Sequence, residues 1–223
     1  MTTQDNLAGT PASSVTISAE QDLNYLNGRE VTFDRLQAQL RSTSVPMYGD
    51  SITEGMDVSQ IGPNVVNMGI NGSTMRDFLG RVNRKPANGT PIVHHAAGAI
   101  FALGLNDTQY EYQHGSPQNP PFLIDEISGW MTGKWIIIKI LPVNEALYSS
   151  VKNADIDAVN THMQAVFGNR PGFAIVDAKS VLAPNGQLLP QYSVGDGVHP
   201  SAAAYSQLYP MIQAAAASIG VIS

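Results

Sequence analysis

The sequence predicts an α/β fold, a three-layer α/β/α sandwich on about five parallel strands. Three observations predict it. Short, near-continuously apolar runs recur, the clearest being Trp135-Ile136-Ile137-Ile138-Lys139-Ile140-Leu141-Pro142. Strands read this way when helices cover both faces of a parallel sheet. Between the runs lie stretches with apolar residues at helical spacing, such as Met75, Phe78, Leu79 and Val82. The 223 residues suit one domain with one substantial core, and no linker or internal repeat divides them.

Residues 1–16 are small and polar and read as a loose, flexible N-terminal arm ahead of a single domain over 17–223. Ser18-Ala19-Glu20-Gln21 has the form of a capping box, and Gly28 is placed to close the short helix it opens. A second helix starts near Phe33, with Phe33, Leu36 and Leu40 on one face. Val45-Pro46-Met47-Tyr48-Gly49 is the first strand and breaks at Gly49. A second strand over 65–70 breaks at Asn71-Gly72 and passes into the helix of Met75 to Val82. A third, over 99–105, ends at Asn106-Asp107, and a polar loop over 108–121 follows. Next come a helix near 123–132, the strand over 135–142, a helix over 154–167 and a fifth strand over 173–177. The last helix follows Pro200 and shows Tyr205, Leu208, Tyr209 and Ile212 on one face. Pro210 lacks the N–H a helix needs, which predicts a kink or a restart there.

Composition removes several function classes. The net charge is −6 with no Lys/Arg cluster, so nucleic acid and anionic membrane surfaces are poor partners. Without cysteine there is no disulfide, no thiolate nucleophile and no Cys-ligated zinc. No run approaches 18 apolar residues, so no membrane span is expected. Residues 1–6 carry no signal-peptide pattern, which favours a cytoplasmic compartment and leaves a secreted mature form open. His94, His95, His114 and His162 share no metal-ligand spacing and read as structural or solvated. Gly69-x-x-Gly72 lacks the remaining glycines of a dinucleotide loop, so no cofactor is expected. No Gly-x-Ser-x-Gly elbow is present, which argues against an α/β-hydrolase.

Four polar clusters follow or face the strand tips: 49–52, 69–72, 104–107 and 196–200. In a parallel sheet the first three share one edge, where open α/β sheets bind ligands, and the fourth can reach it. They hold the parts of an acyl-transfer site. Ser51 is the candidate nucleophile. His199 is its candidate base, since an imidazole titrating near ~6.5 can take and return a proton around neutrality. Asp196, three residues earlier, can hold that imidazole in one tautomer. The N–H groups of Ser51 and Gly72 and the amide of Asn106 are candidate donors to an oxyanion. Asp50 reads first as an Asx-turn acceptor bracing Ser51, and second as a catalytic group. Tyr110 and Tyr112 could stack on a substrate or pack the loop.

Four stretches together resemble the sequence blocks of the SGNH hydrolases, also called GDSL-type esterases and lipases. They are Gly49-Asp50-Ser51-Ile52-Thr53, Ile70-Asn71-Gly72-Ser73-Thr74, Gly104-Leu105-Asn106-Asp107 and Asp196-Gly197-Val198-His199-Pro200. The resemblance implies a flavodoxin-like fold, Ser/His/Asp catalysis without a metal, and an ester or thioester substrate. Ile52 in the first block resembles the carbohydrate-esterase and acetylhydrolase branches. In the second block Gly72, which ends the Ile-x-Gly-x-Thr pattern, is preferred to Gly69. The expected activity is that of a serine esterase removing short acyl groups, O-acetyl on a carbohydrate above all. A lysophospholipase or acyl-thioesterase on the same residues, and a non-catalytic carbohydrate-binding module, are the alternatives.

Overall fold

The structure, a computed structural model, describes residues 19–83, 97–114 and 120–222, with the backbone alone at 19–27, 83 and 110–114. Its strands are β1 (Val45–Gly49), β2 (Val65–Asn67), β3 (Ala99–Ala102), β4 (Trp135–Ile138) and β5 (Phe173–Val176). All pair in parallel, in the order β2-β1-β3-β4-β5. That is the flavodoxin-like order. From β1 the chain moves to one side, to β2, and returns across it to β3. The connections leaving β1 and β3 therefore part, and a crevice opens at the carboxyl ends of those two strands.

Side chains alternate across the sheet, as the pleat requires. Tyr48, Phe101, Trp135 and Ile137 face one core. The helices α1 (Ala19–Gln39), α3 (Met75–Asn83), α5 (Pro120–Trp130) and α6 (Asn153–Phe167) contribute to it. Met47, Ile100, Ile136 and Ile138 face the other, under α7 (Lys179–Leu182) and α8 (Ala202–Ser218). Two short helices, α2 (Ser51–Glu54) and α4 (Leu105–His114), leave the carboxyl edge directly after β1 and β3. On the first face Tyr48 sits amid Phe33, Phe78 and Trp135, with ring centroids 6.0, 5.1 and 6.4 Å away. Such rings bury large areas and fix the spacing of the layers.

The structure departs from the sequence reading at several elements. One helix, α1, replaces the expected pair. A glycine stops a helix by taking a positive φ, and Gly28 is not among the glycines that do. Phe33 and Leu36 in the core, with Arg29 against Glu54, outweigh the ~1 kcal/mol that a mid-helix glycine costs. Residues 105–114 are helical where a loop over 108–121 was expected. Gly104, at φ 133°, turns the chain out of β3, and Thr108 bonds back to the Gly104 carbonyl through both N–H (2.9 Å) and hydroxyl (2.8 Å). The strands are shorter than their apolar runs, because Ile70, Leu103 and Leu141 stay buried while belonging to the loops of the carboxyl edge. Pro210 brings no restart, and α8 runs through it. Pro210 and Ser206 lie on the exposed side, where water can take the carbonyl left without a donor.

The arm at 1–16 lies outside the described residues, as do His94, His95 and the side chains of Tyr110, Tyr112 and His114. His162 is on the surface, its Nε2 2.8 Å from Asp125. No helix among the described residues is long and apolar enough to cross a membrane.

Candidate active site

Ser51 stands at the tip of β1 because of the residues on either side. A Cβ on Gly49 would lie 1.8 Å from Thr53 Oγ1, so only glycine lets α2 fold back over the strand end. Asp50 caps α2, its Oδ1 accepting the Ile52 N–H at 2.9 Å. This is the Asx turn read from the sequence. It places Ser51 first in the helix, where a backbone N–H has no intrahelical acceptor. Burial raises the Asp50 carboxyl to about 6, against the pull of the Ile52 N–H and of His199.

His199 arrives from the far end of the chain. Its Nε2 lies 3.0 Å from Ser51 Oγ, and its Nδ1 lies 2.6 Å from Asp196 Oδ2. The other oxygen of Asp196 accepts the N–H groups of Val198 and His199, both at 2.9 Å. Burial alone would raise Asp196, but the Val198 N–H and the His199 ring and N–H outweigh it and hold the carboxyl below its usual range. An anionic Asp196 accepts a hydrogen bond from Nδ1–H, which leaves Nε2 to accept from the Ser51 hydroxyl. The loop is pinned from outside: Gly197 takes φ 81°, and its carbonyl accepts the Asn144 N–H at 2.7 Å.

The two glycines of the second block divide the work. A Cβ on Gly69 would meet Glu54 N at 2.4 Å, so Gly69 allows this loop to lie against α2. Gly72 takes φ 75° in the turn closed by Ser73 N–H to Ile70 O (3.1 Å), and beyond its chain neighbours no described atom lies within 4 Å of its missing Cβ. Glu54 Oε2 accepts the Asn71 N–H at 2.7 Å. Asn67 reaches the same junction, its amide donating to Thr53 O at 2.8 Å and its oxygen accepting Gly69 N–H at 2.9 Å. Asn106, in the first turn of α4, donates to Ser73 O at 2.9 Å. One of its two amide hydrogens is thus committed, and that bond orients the other.

The structure therefore joins Ser51, His199 and Asp196 in one hydrogen-bonded row and ties Asn106 to the loop of Gly72. Tyr110 and Tyr112 fall on α4. The sequence reading assigned nothing to Asp107. Fully buried, it brings both carboxylate oxygens within 3.0 Å of the Met75 N–H at the start of α3. Its signal was present in the acidic residue directly after Asn106. An apolar hollow of about 370 Å³, partly open to solvent, lies nearby between Ile52, Met56, Ala102, Leu105, Ile138 and Leu208. Asp50 and Ile52, the neighbours of Ser51, help to line it, but Ser51, Asn106 and His199 do not.

Asp107 yields a prediction. Burial foremost, then Asp50 and Asp77 nearby, raise its carboxyl to about 7 against the pull of the Met75 N–H. In the unfolded chain it titrates near ~3.9. Between those limits the folded state holds a proton that the unfolded chain has released. The group's contribution is full below ~pH 4 and is lost as pH rises through about 7. Asp107→Asn cannot ionise, so its Tm relative to the parent should climb as pH is raised across that window. A Tm difference that stays constant would refute this.

Comparison with known proteins follows the same lines. The family model described as GDSL-like Lipase/Acylhydrolase family matches residues 47–207. No curated protein sequence matches the chain. Among solved structures, a protein from Streptococcus pneumonia provisionally described as a platelet activating factor superposes with a TM-score of 0.68 at 20% identity, covering 86% of this chain and 92% of that one. A GDSL-like lipase from Bacteroides thetaiotaomicron gives 0.64 at 22% identity, covering 86% and 97%. A catalytic mutant of Axe2, an acetylxylan esterase from Geobacillus stearothermophilus, gives 0.57 at 17% identity, covering 82% and 98%. At these identities the likeness is one of fold. The family match takes in most of the chain, from β1 into α8, and the chain belongs to the GDSL-like lipase/acylhydrolase family as a carboxylic ester hydrolase.

Proposed function

We propose that the protein is a serine esterase that removes short acyl groups, O-acetyl on a carbohydrate above all, through a covalent acyl-enzyme. The observation that carries this is the row Asp196–His199–Ser51, with contacts of 2.6 and 3.0 Å. Ser51 Oγ attacks the ester carbonyl while His199 Nε2 takes its proton. The N–H groups of Ser51 and Gly72 and the free amide hydrogen of Asn106 receive the oxyanion. As the tetrahedral species collapses, His199 returns the proton to the departing alkoxide. Water, activated by the same imidazole, then releases the acid and restores Ser51.

The short-acyl reading has its own support. Ser51 and His199 are half-exposed, and the apolar hollow is lined by neither. An acetylxylan esterase shares the fold.

The test is hydrolysis of p-nitrophenyl esters from two to twelve carbons by the parent and by Ser51→Ala, followed by acetylated oligosaccharides. Acetate cleaved best by the parent, with Ser51→Ala inactive, is the expected result. A rate that climbs with chain length would move the reading to a lysophospholipase or acyl-thioesterase. A parent that cleaves no ester and gains no mass at Ser51 from an organophosphonate would favour a binding module.

A further inference from the structure

α2 is a four-residue helix, too short to satisfy its own ends. The Met56 N–H, which would bond Ile52 O in a longer helix, bonds Thr53 O instead at 3.0 Å. The Thr53 carbonyl also takes the Asn67 amide. The Ile52 carbonyl, one residue from the nucleophile, is taken by Tyr205, whose hydroxyl donates to it at 2.8 Å across 153 residues of sequence. Tyr205 belongs to α8, which begins three residues after His199.

The approach is shaped for that hydroxyl. A Cβ on Gly55 would lie 2.9 Å from Tyr205 Oη, although Gly55 has an ordinary φ of −76° that alanine also adopts. Glycine is needed there for space. One and two turns further along α8 the pattern repeats. Tyr209 Oη accepts the Asp57 N–H at 3.0 Å, and Gln213 Nε2 donates to Gln60 O at 2.8 Å. The Tyr205 and Tyr209 rings stack with centroids 6.2 Å apart and planes 14° from parallel. Positions 205, 209 and 213 form one stripe of the helix, fastened to the chain that runs on from Ser51.

We propose that Tyr205 is a positioning residue for the reaction: seated against Gly55, its hydroxyl locks the helix that begins at Ser51 to the helix that follows His199, and so sets the contact between nucleophile and base. The proposal rests on the reading of Ser51 and His199 given above.

Tyr205→Phe keeps the ring and its stack and removes only the tether. It should lower kcat on p-nitrophenyl acetate about tenfold, since small misplacements of reacting groups are costly in rate. KM should stay within about twofold, and organophosphonate labelling of Ser51 should slow by the same factor as kcat. Gly55→Ala should lower kcat in the parent by crowding Oη, yet cost nothing further when Tyr205→Phe is already present. A Tyr205→Phe enzyme within about twofold of the parent, or a Gly55→Ala penalty equal in both backgrounds, would overturn the proposal. If Ser51→Ala stayed active, the underlying reading would fall and this proposal with it. If Ser51→Ala were dead and Tyr205→Phe unaffected, only the positioning role would fall.

Discussion

His199→Ala is expected to lower kcat on p-nitrophenyl acetate by at least about 10⁴-fold while leaving KM nearly unchanged. The hydroxyl of Ser51 is a poor nucleophile near neutral pH, and among the described residues its basic neighbour is the imidazole at 3.0 Å. Asp196 cannot take over. It reaches Ser51 only by way of the imidazole that the variant lacks, and its other oxygen stays bound to the N–H groups of residues 198 and 199. A row that acts as the proposed unit requires that Ser51→Ala with His199→Ala be no slower than either change alone. Steady-state kinetics on the three variants settle the point. A loss smaller than about tenfold in His199→Ala would remove the imidazole from the mechanism.

Asn106→Ala is expected to cost about 10²–10³-fold in kcat, or roughly 2.7–4 kcal/mol of transition-state stabilisation. The amide is fixed from behind by its bond to Ser73 O, so its free hydrogen is oriented before substrate arrives. A preorganised donor of that kind acts on the charge that develops during reaction and contributes little to binding the neutral ester. KM should therefore hardly move, and the fold should survive, since Asn106 is only half-buried. An unchanged kcat would assign the amide to the turn alone.

Much of this could be read from the sequence for definite reasons. Residues 135–138 announce a strand because both faces of β4 are covered, which leaves no polar alternation to confuse with a helix. The four blocks are legible because each is local: a glycine that must be small, an Asx cap, a serine or histidine beside them. Elements decided by distant contacts were not legible. Gly28 has the look of a stop, yet α1 continues because residues far along the chain receive its far half. Asp107 acts on Met75, 32 residues away, and Tyr205 on Ile52, 153 away. No local pattern distinguishes such a tyrosine from one that fills the core.

The 148-residue separation of Ser51 and His199 also makes the enzyme a reporter of its own folding. That contact encloses β2 to β5, and non-local closures of this kind form late and slowly. A nascent chain carries Ser51 and its first strand long before it carries His199, so under the proposed mechanism it should be inert toward esters throughout its emergence from the ribosome. On refolding, recovery of hydrolysis should lag the burial of Trp135, and the lag measures the time needed for the C-terminal helix to dock.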